Sequence, residues 1–171
     1  GADYYISIPT DVTEVEKRAF YDLLKDAGIK AKKIMAVDKS VADALGMGID
    51  VKNSQGVLVV DVGYDTTEIS VISLGGLVLS NLLSFGGNRL DDSIVTFLKR
   101  RHNLLIGRKT AKDLKEGIGC ALMPEEIKKQ TVVGRDVVSG LPVEMEISSK
   151  MIYEGMQDDL QNIGTTVRMI L

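Results

Sequence analysis

The chain holds one cysteine, one histidine and no tryptophan in 171 residues, and only three prolines interrupt it. Cys120 has no partner for an internal disulfide and no ligand-spaced companion, which fits a reducing, cytosolic compartment and a place in the core. His102 stands beside Arg101 with no second histidine or cysteine near it in sequence. It reads as a surface side chain, and metal sites built from His and Cys are excluded. No apolar run approaches the roughly 18 residues that span a bilayer, and the amino terminus has no charged region followed by an apolar stretch. A soluble, unprocessed chain without a transmembrane segment is expected. Charge of one dominant sign is also missing: 21 basic and 24 acidic residues are scattered along the chain and leave a net charge of −3. With no basic stripe interleaved with aromatics, a nucleic-acid partner is excluded. The densest basic run, Lys99-Arg100-Arg101-His102, closes an expected helix, where cations offset the negative end of the macrodipole.

What is present is enough apolar surface for a sizeable core, since 44% of the residues are hydrophobic. One compact domain or two small lobes are both compatible with that length. A β-prone run ends at Pro9, and Thr13 with Glu16 then has the spacing of a capping box. Val15, Ala19, Phe20, Leu23, Leu24 and Ala27 follow at helical spacing, and Gly28 sits where a left-handed cap belongs. A strand over 34–37 and a short helix over 40–45 complete a β-α-β-α order. Three β-rich runs over 57–62, 68–73 and 77–85 then form an expected antiparallel meander. The first run is apolar up to Asp61, which predicts a central strand buried on both faces. Helical periodicity returns from Asn88 and again over 110–121. A β-hairpin turning at Ser139-Gly140 follows, and a last helix opens at Ser149 and is still running at Leu171.

The segment that carries chemistry is Asp61-Val62-Gly63-Tyr64-Asp65-Thr66-Thr67-Glu68. An acid ends a strand, a glycine turn follows, and two hydroxyls precede the next strand. Backbone N–H groups in such a turn can converge on phosphate oxygens, Gly63 permits close approach, and the acid can hold a hydrated Mg²⁺. Ordinary hairpins also place Asp and Gly at their turns, so spacing alone leaves both readings open.

Four further segments, in order, extend the pattern along nearly the whole chain. IPTDVTEVEKR at 8–18 resembles "IPTGITEVEKRA" of the MreB/Mbl family of bacterial actin-like, rod shape-determining proteins, and VISLGG at 71–76 matches that family's "VISLGG". NLLIGRKTA at 103–111 resembles "NLLIGERTAE", and GRDVVSGLP at 134–142 resembles "GRDLVTGLP". The resemblance implies an α/β chain on part of the actin-like (ribonuclease H-like) ATPase fold. Residues 1–54 would end the first large subdomain, and 55–86 would supply the phosphate hairpin and meander of the second. Residues 87–148 would form the small subdomain, and 149–171 the start of a returning helix, cut short. The family's first phosphate hairpin and its glycine-rich adenosine loop have no counterpart here, so half a cleft is expected, without hydrolysis by this piece alone.

The family's phosphate loop, D-x-G-x-G-T-T, would make Asp61 the acid that holds Mg²⁺ through water. Gly63, Tyr64, Asp65, Thr66 and Thr67 would then line the phosphates of ATP. Asp65 replaces the second glycine and brings a carboxylate toward a polyanion; two unit charges about 4 Å apart at an effective dielectric of about 20 repel by roughly 4 kcal/mol. The family's catalytic glutamate lies in a segment resembling "EEPMAAAIGAG", which maps onto 38–48 and puts Lys39 at the glutamate and Ser40 at the proline. A protonated amine has no acceptor with which to orient water, so no catalytic residue is intact. Asp38, adjacent, or Ser40 is read as the cap of the helix. On the adenosine side Lys115 is retained, while Lys112 and Gly117 replace the expected acids. Lys112 and Lys115 are equally well read as a solvated helix face. The resemblance further implies a cytoplasmic protein beneath the cell membrane that stacks head to tail into filaments. It also implies partners among membrane-linked elongation proteins such as RodZ and MreC. The four departures leave an alternative, a nucleotide-insensitive scaffold that copolymerises with an active relative.

Overall fold

The computed structural model describes residues 1–171, which divide into two compact units, Gly1–Ser84 and Phe85–Met169. In the amino-terminal unit, strand β1 (Ala2–Ile8) pairs in parallel with β2 (Ala31–Asp38) through helix α1 (Glu14–Asp26). The capping box forms as its spacing predicts: Thr13 Oγ1 accepts from the Glu16 amide at 3.2 Å and the Glu16 carboxylate accepts from the Thr13 amide at 2.7 Å. The apolar stripe of α1 is nevertheless uncovered, because none of its residues is buried and Val15 is 81% exposed.

Helix α2 (Lys39–Gly46) packs against both the β1–β2 pair and an antiparallel sheet of β3 (Val57–Val62), β4 (Thr67–Ser73) and β5 (Gly76–Leu83). The meander is the expected one, but its centre is not. The sheet order is β3-β4-β5, so β4 rather than β3 lies in the middle, and Thr67 to Ser70 are all buried while Val60 and Val62 are exposed. The turn between β4 and β5 is Leu74-Gly75, both at positive φ (52° and 80°). Such a two-residue turn matches the right-handed twist of its strands.

Alternation along the strands gives the face toward α2 a graded character. Val57, Val59 and Ile72 meet Val41 and Ala44 of the helix and form the apolar end, with Val51 closing it. Asp61, Glu68 and Ser70 share that face nearer the β3–β4 turn, opposite the first turn of α2.

The carboxyl-terminal unit has the larger apolar core. Helices α3 (Gly87–His102) and α4 (Arg108–Ile118) pack together. They cover an antiparallel sheet of β6 (Leu104–Leu105), β7 (Lys129–Asp136) and β8 (Pro142–Ser148), and α5 (Ser149–Ile170) completes the unit. Leu90, Ile94, Leu98, Leu104, Leu114, Ile147 and Ile152 lie at its centre. The basic run ends α3 as expected, with Asn103 in the left-handed conformation beyond it. Two expectations are corrected here. Cys120 lies past the end of α4 and is only half-buried, and His102 is half-buried, its ring 5.7 Å from that of Phe97. The cap of α5 is Ser148, whose hydroxyl accepts from the Met151 amide, while the neighbouring Ser149 hydroxyl accepts from the Lys128 amide. No helix is long and apolar enough to cross a membrane.

Candidate functional site

The β3–β4 hairpin is closed by pairing of Val62 with Thr67, and the Gly63 amide donates to the Thr66 carbonyl at 2.9 Å. Glycine is required here by space: a Cβ at Gly63 would lie 2.9 Å from that same carbonyl oxygen. Tyr64, Asp65 and Thr66 are exposed at the apex, whereas Thr67 is fully buried, so of the two hydroxyl residues only Thr66 is open to solvent. Asp61 stands at the base of the turn, directly across the ladder from Glu68.

Lys39, the first residue of α2, forms an ion pair with Asp61 and lies 3.5 Å from Asp43 one helical turn on. The Lys39 and Asp61 side chains are 34% and 31% exposed, so this pair is screened less than one at the open surface. Ser40 is buried, and its hydroxyl binds the Glu68 carboxylate and, at 2.7 Å, the Ser70 hydroxyl. Its role is therefore not that of a cap. Asp38 occupies the cap position of α2 but makes no capping hydrogen bond through its side chain, which corrects both capping expectations. The proline-to-serine change at position 40 instead supplies a hydroxyl donor to a buried carboxylate, a group that is costly to leave unsatisfied.

Sequence reasoning named Lys39, Asp61 and the turn through Glu68, but not the pairing of Glu68 with Asp61 nor the contacts of Ser70 and Asp43. A signal was available. Counting outward from a tight turn pairs Asp61 with Glu68, and period-two alternation then puts Ser70 on the same face.

Lys112 and Lys115 belong to the carboxyl-terminal unit and have different surroundings. Lys112 is half exposed and lies 3.8 Å from Glu116 on its own helix, a solvated face. Lys115 is largely covered. Its ammonium sits 2.7 Å from the buried Asp91 and donates to the Gly87 carbonyl at 2.8 Å, so it ties α4 to the start of α3. Nearby, Arg108 grips Asp92 with two parallel bonds of 2.6 and 2.5 Å.

Magnesium does not fit the carboxylates as they stand. Such an ion takes about six oxygen ligands in a near-ideal octahedron. Here the one acid expected to hold it through water, Asp61, is taken by an ammonium, and Glu68 across the ladder is taken by hydroxyls.

The family model described as MreB/Mbl protein matches residues 2–171. The cell shape-determining protein MreB of Escherichia coli is 35% identical over 166 residues, 97% of this chain and 47% of that protein. The cell shape-determining protein Mbl of Bacillus subtilis is 31% identical, over 97% of this chain and 49% of its own length. Among solved structures, MreB5 of Spiroplasma citri bound to AMPPNP superposes with a TM-score of 0.90 at 34% identity, covering 96% of this chain and 49% of that one. A MamK double helical filament, 20% identical with a TM-score of 0.72, shares the fold. The chain thus spans about half the length of its curated relatives and carries that portion of the actin-like α/β fold. On the matched motifs, the family model and these relatives together, the chain belongs to the MreB/Mbl family.

Proposed function

We propose that the chain is the middle part of an actin-like cytoskeletal protein that binds ATP at the Asp61–Thr67 hairpin, does not hydrolyse it, and assembles head to tail into filaments. The observation that carries this reading is the hairpin itself. An acid, a sterically required glycine and an exposed hydroxyl residue stand at one end of a sheet, in a family relative of which binds AMPPNP. The main-chain amides of Tyr64 and Thr66 are the donors such a turn offers to phosphate. Absence of turnover follows from Lys39, because an ammonium already bound to Asp61 can neither accept a proton from water nor orient it.

Filaments of this kind would act in the cytoplasm beneath the membrane, organising cell shape and cell-wall synthesis alongside partners such as RodZ and MreC. The uncovered stripe of α1 supports self-association in the piece described, since exposed apolar surface favours burial. The Lys39–Asp61 pair also favours a second reading, a nucleotide-insensitive scaffold that copolymerises with an active relative.

Full-length protein mixed with Mg-ATP separates the two. Calorimetric heat of nucleotide binding and filaments by electron microscopy, with no phosphate released, support the first. Filaments that form without any bound nucleotide support the second, and a monomer at high concentration by light scattering removes both.

A further inference from the structure

We propose that Lys39 takes the place of the divalent metal at Asp61, so that the hairpin holds the triphosphate of a nucleotide as a metal-free anion. The inference rests on the ATP reading above and specifies the form in which that ligand is bound. The carboxylate at the base of the turn is the one a hydrated cation would occupy, and a cation is already there, covalently tethered through the first residue of α2. A second contact fixes it: Asp43 lies 3.5 Å from the same ammonium, one turn on along the same face of α2. An ammonium has three N–H donors. With Asp61 as its close partner and Asp43 a longer ion-pair contact, the ammonium keeps N–H capacity for a phosphate oxygen.

The rest of the cluster is built around one positive charge rather than two. Glu68, directly across from Asp61, is satisfied by the neutral hydroxyls of Ser40 and Ser70 and is buried, so it is withdrawn from any metal. Entry of a divalent ion would require it to displace Lys39 or sit beside it, against cation–cation repulsion in a half-buried setting. Asp65 acts in the same direction. A carboxylate at the apex opposes a polyanion, and the tethered cation at the base of the same turn offsets it without any metal.

The test is equilibrium binding of a fluorescent ATP analogue to full-length protein in excess Mg²⁺ and in excess EDTA. For the natural sequence the two affinities should agree within about threefold. Lys39→Met keeps the length of the side chain and removes its charge. In EDTA it should bind about tenfold or more weakly, with Mg²⁺ restoring the loss by reaching the vacated Asp61, while Lys39→Arg should bind in EDTA like the natural protein. Circular dichroism melts of each variant report folding, and the natural protein's two conditions decide the matter should Lys39→Met not fold. Binding by the natural protein that collapses on chelation overturns the inference and leaves the ATP reading intact. So does a Lys39→Met protein as indifferent to EDTA as its parent. No binding in either condition overturns the ATP reading, and this inference with it.

Discussion

The two units differ in what their interiors contain. The carboxyl-terminal unit buries a continuous apolar cluster from Leu90 to Met156, fed by three helices and three strands. The amino-terminal unit gathers only Ala44, Val51, Val59 and Ile72 into a comparable cluster, and gives the other half of the same sheet face to Lys39, Ser40, Asp61, Glu68 and Ser70. Buried apolar area stabilises in proportion to its extent, whereas a buried carboxylate costs free energy unless every lone pair finds a donor. One unit is thus built on a continuous apolar core, and the other sets a hydrogen-bonded polar cluster beside a small apolar one, next to the β3–β4 turn.

The contrast breaks most visibly in the larger core. Leu114 is fully buried among α3, α4 and β7, so Leu114→Ala should cost about 3 kcal/mol by lost transfer energy and an unfilled cavity. Denaturant unfolding measures the loss. Hydrogen exchange should place it in the carboxyl-terminal unit, and an equal loss of protection in the β3–β5 sheet would show that the units do not differ as argued. Ser40→Ala tests the other interior. Removing a hydroxyl that binds Glu68 strips a buried carboxylate of a donor, an effect of about 2 kcal/mol. Pairing it with Glu68→Leu, which removes the buried charge as well, should recover most of that loss; a double variant as unstable as Ser40→Ala would mean that the hydroxyl acts through packing.

A smaller effect is expected at the turn. Gly63→Ala drives a Cβ to 2.9 Å from the Thr66 carbonyl, a rigid neighbour, and should cost about 1–2 kcal/mol through displaced backbone. Because Gly63 holds the turn rather than the sheet, loss of protection should be confined to amides flanking it. A uniform loss across β3 and β4 would place the strain elsewhere.

Most elements were legible because their signals are local. The capping box of α1, the basic end of α3 and the order of the meander each follow from residues within a few positions of one another. The centre of the meander was misread: the apolar run of β3 suggested a strand buried on both faces, whereas the meander itself puts β4 between its neighbours and burial there depends on what packs over the sheet. The site was legible in part for the same reason. Asp61 and Gly63 announce a turn, but the Lys39–Asp61 pair joins residues brought together only by packing of α2 on the sheet. Ser40 looked like a cap because serine before a helix usually is one. Only the graded face of the sheet reveals that its hydroxyl points to Glu68. The Lys115–Asp91 link was hidden likewise, since two helices must pack before that lysine can be told from a solvated one.

The least disruptive change sharpens a second contrast, between the two hairpins in which an aspartate precedes the turn. Asp61 is held by a lysine from another element, whereas Asp136 serves its own turn. One Asp136 oxygen accepts from the amides of Val138 and Ser139 at 3.1 and 2.7 Å and from the Ser139 hydroxyl at 2.8 Å. These donors favour the charged form and hold the Asp136 carboxyl below its ordinary value of 3.8, with the Ser139 amide and hydroxyl first among the causes. A carboxyl depressed in the folded state stabilises fully above its unfolded value and loses that contribution as pH falls through the folded one. Asp136→Ala should therefore lower the melting temperature slightly near neutral pH, and the gap from the natural protein should close below about pH 4. Melts of both proteins across that range measure it. A gap that persists unchanged into acid would show that Asp136 contributes by shape and not by charge, and the two aspartates would then differ in kind rather than in partner.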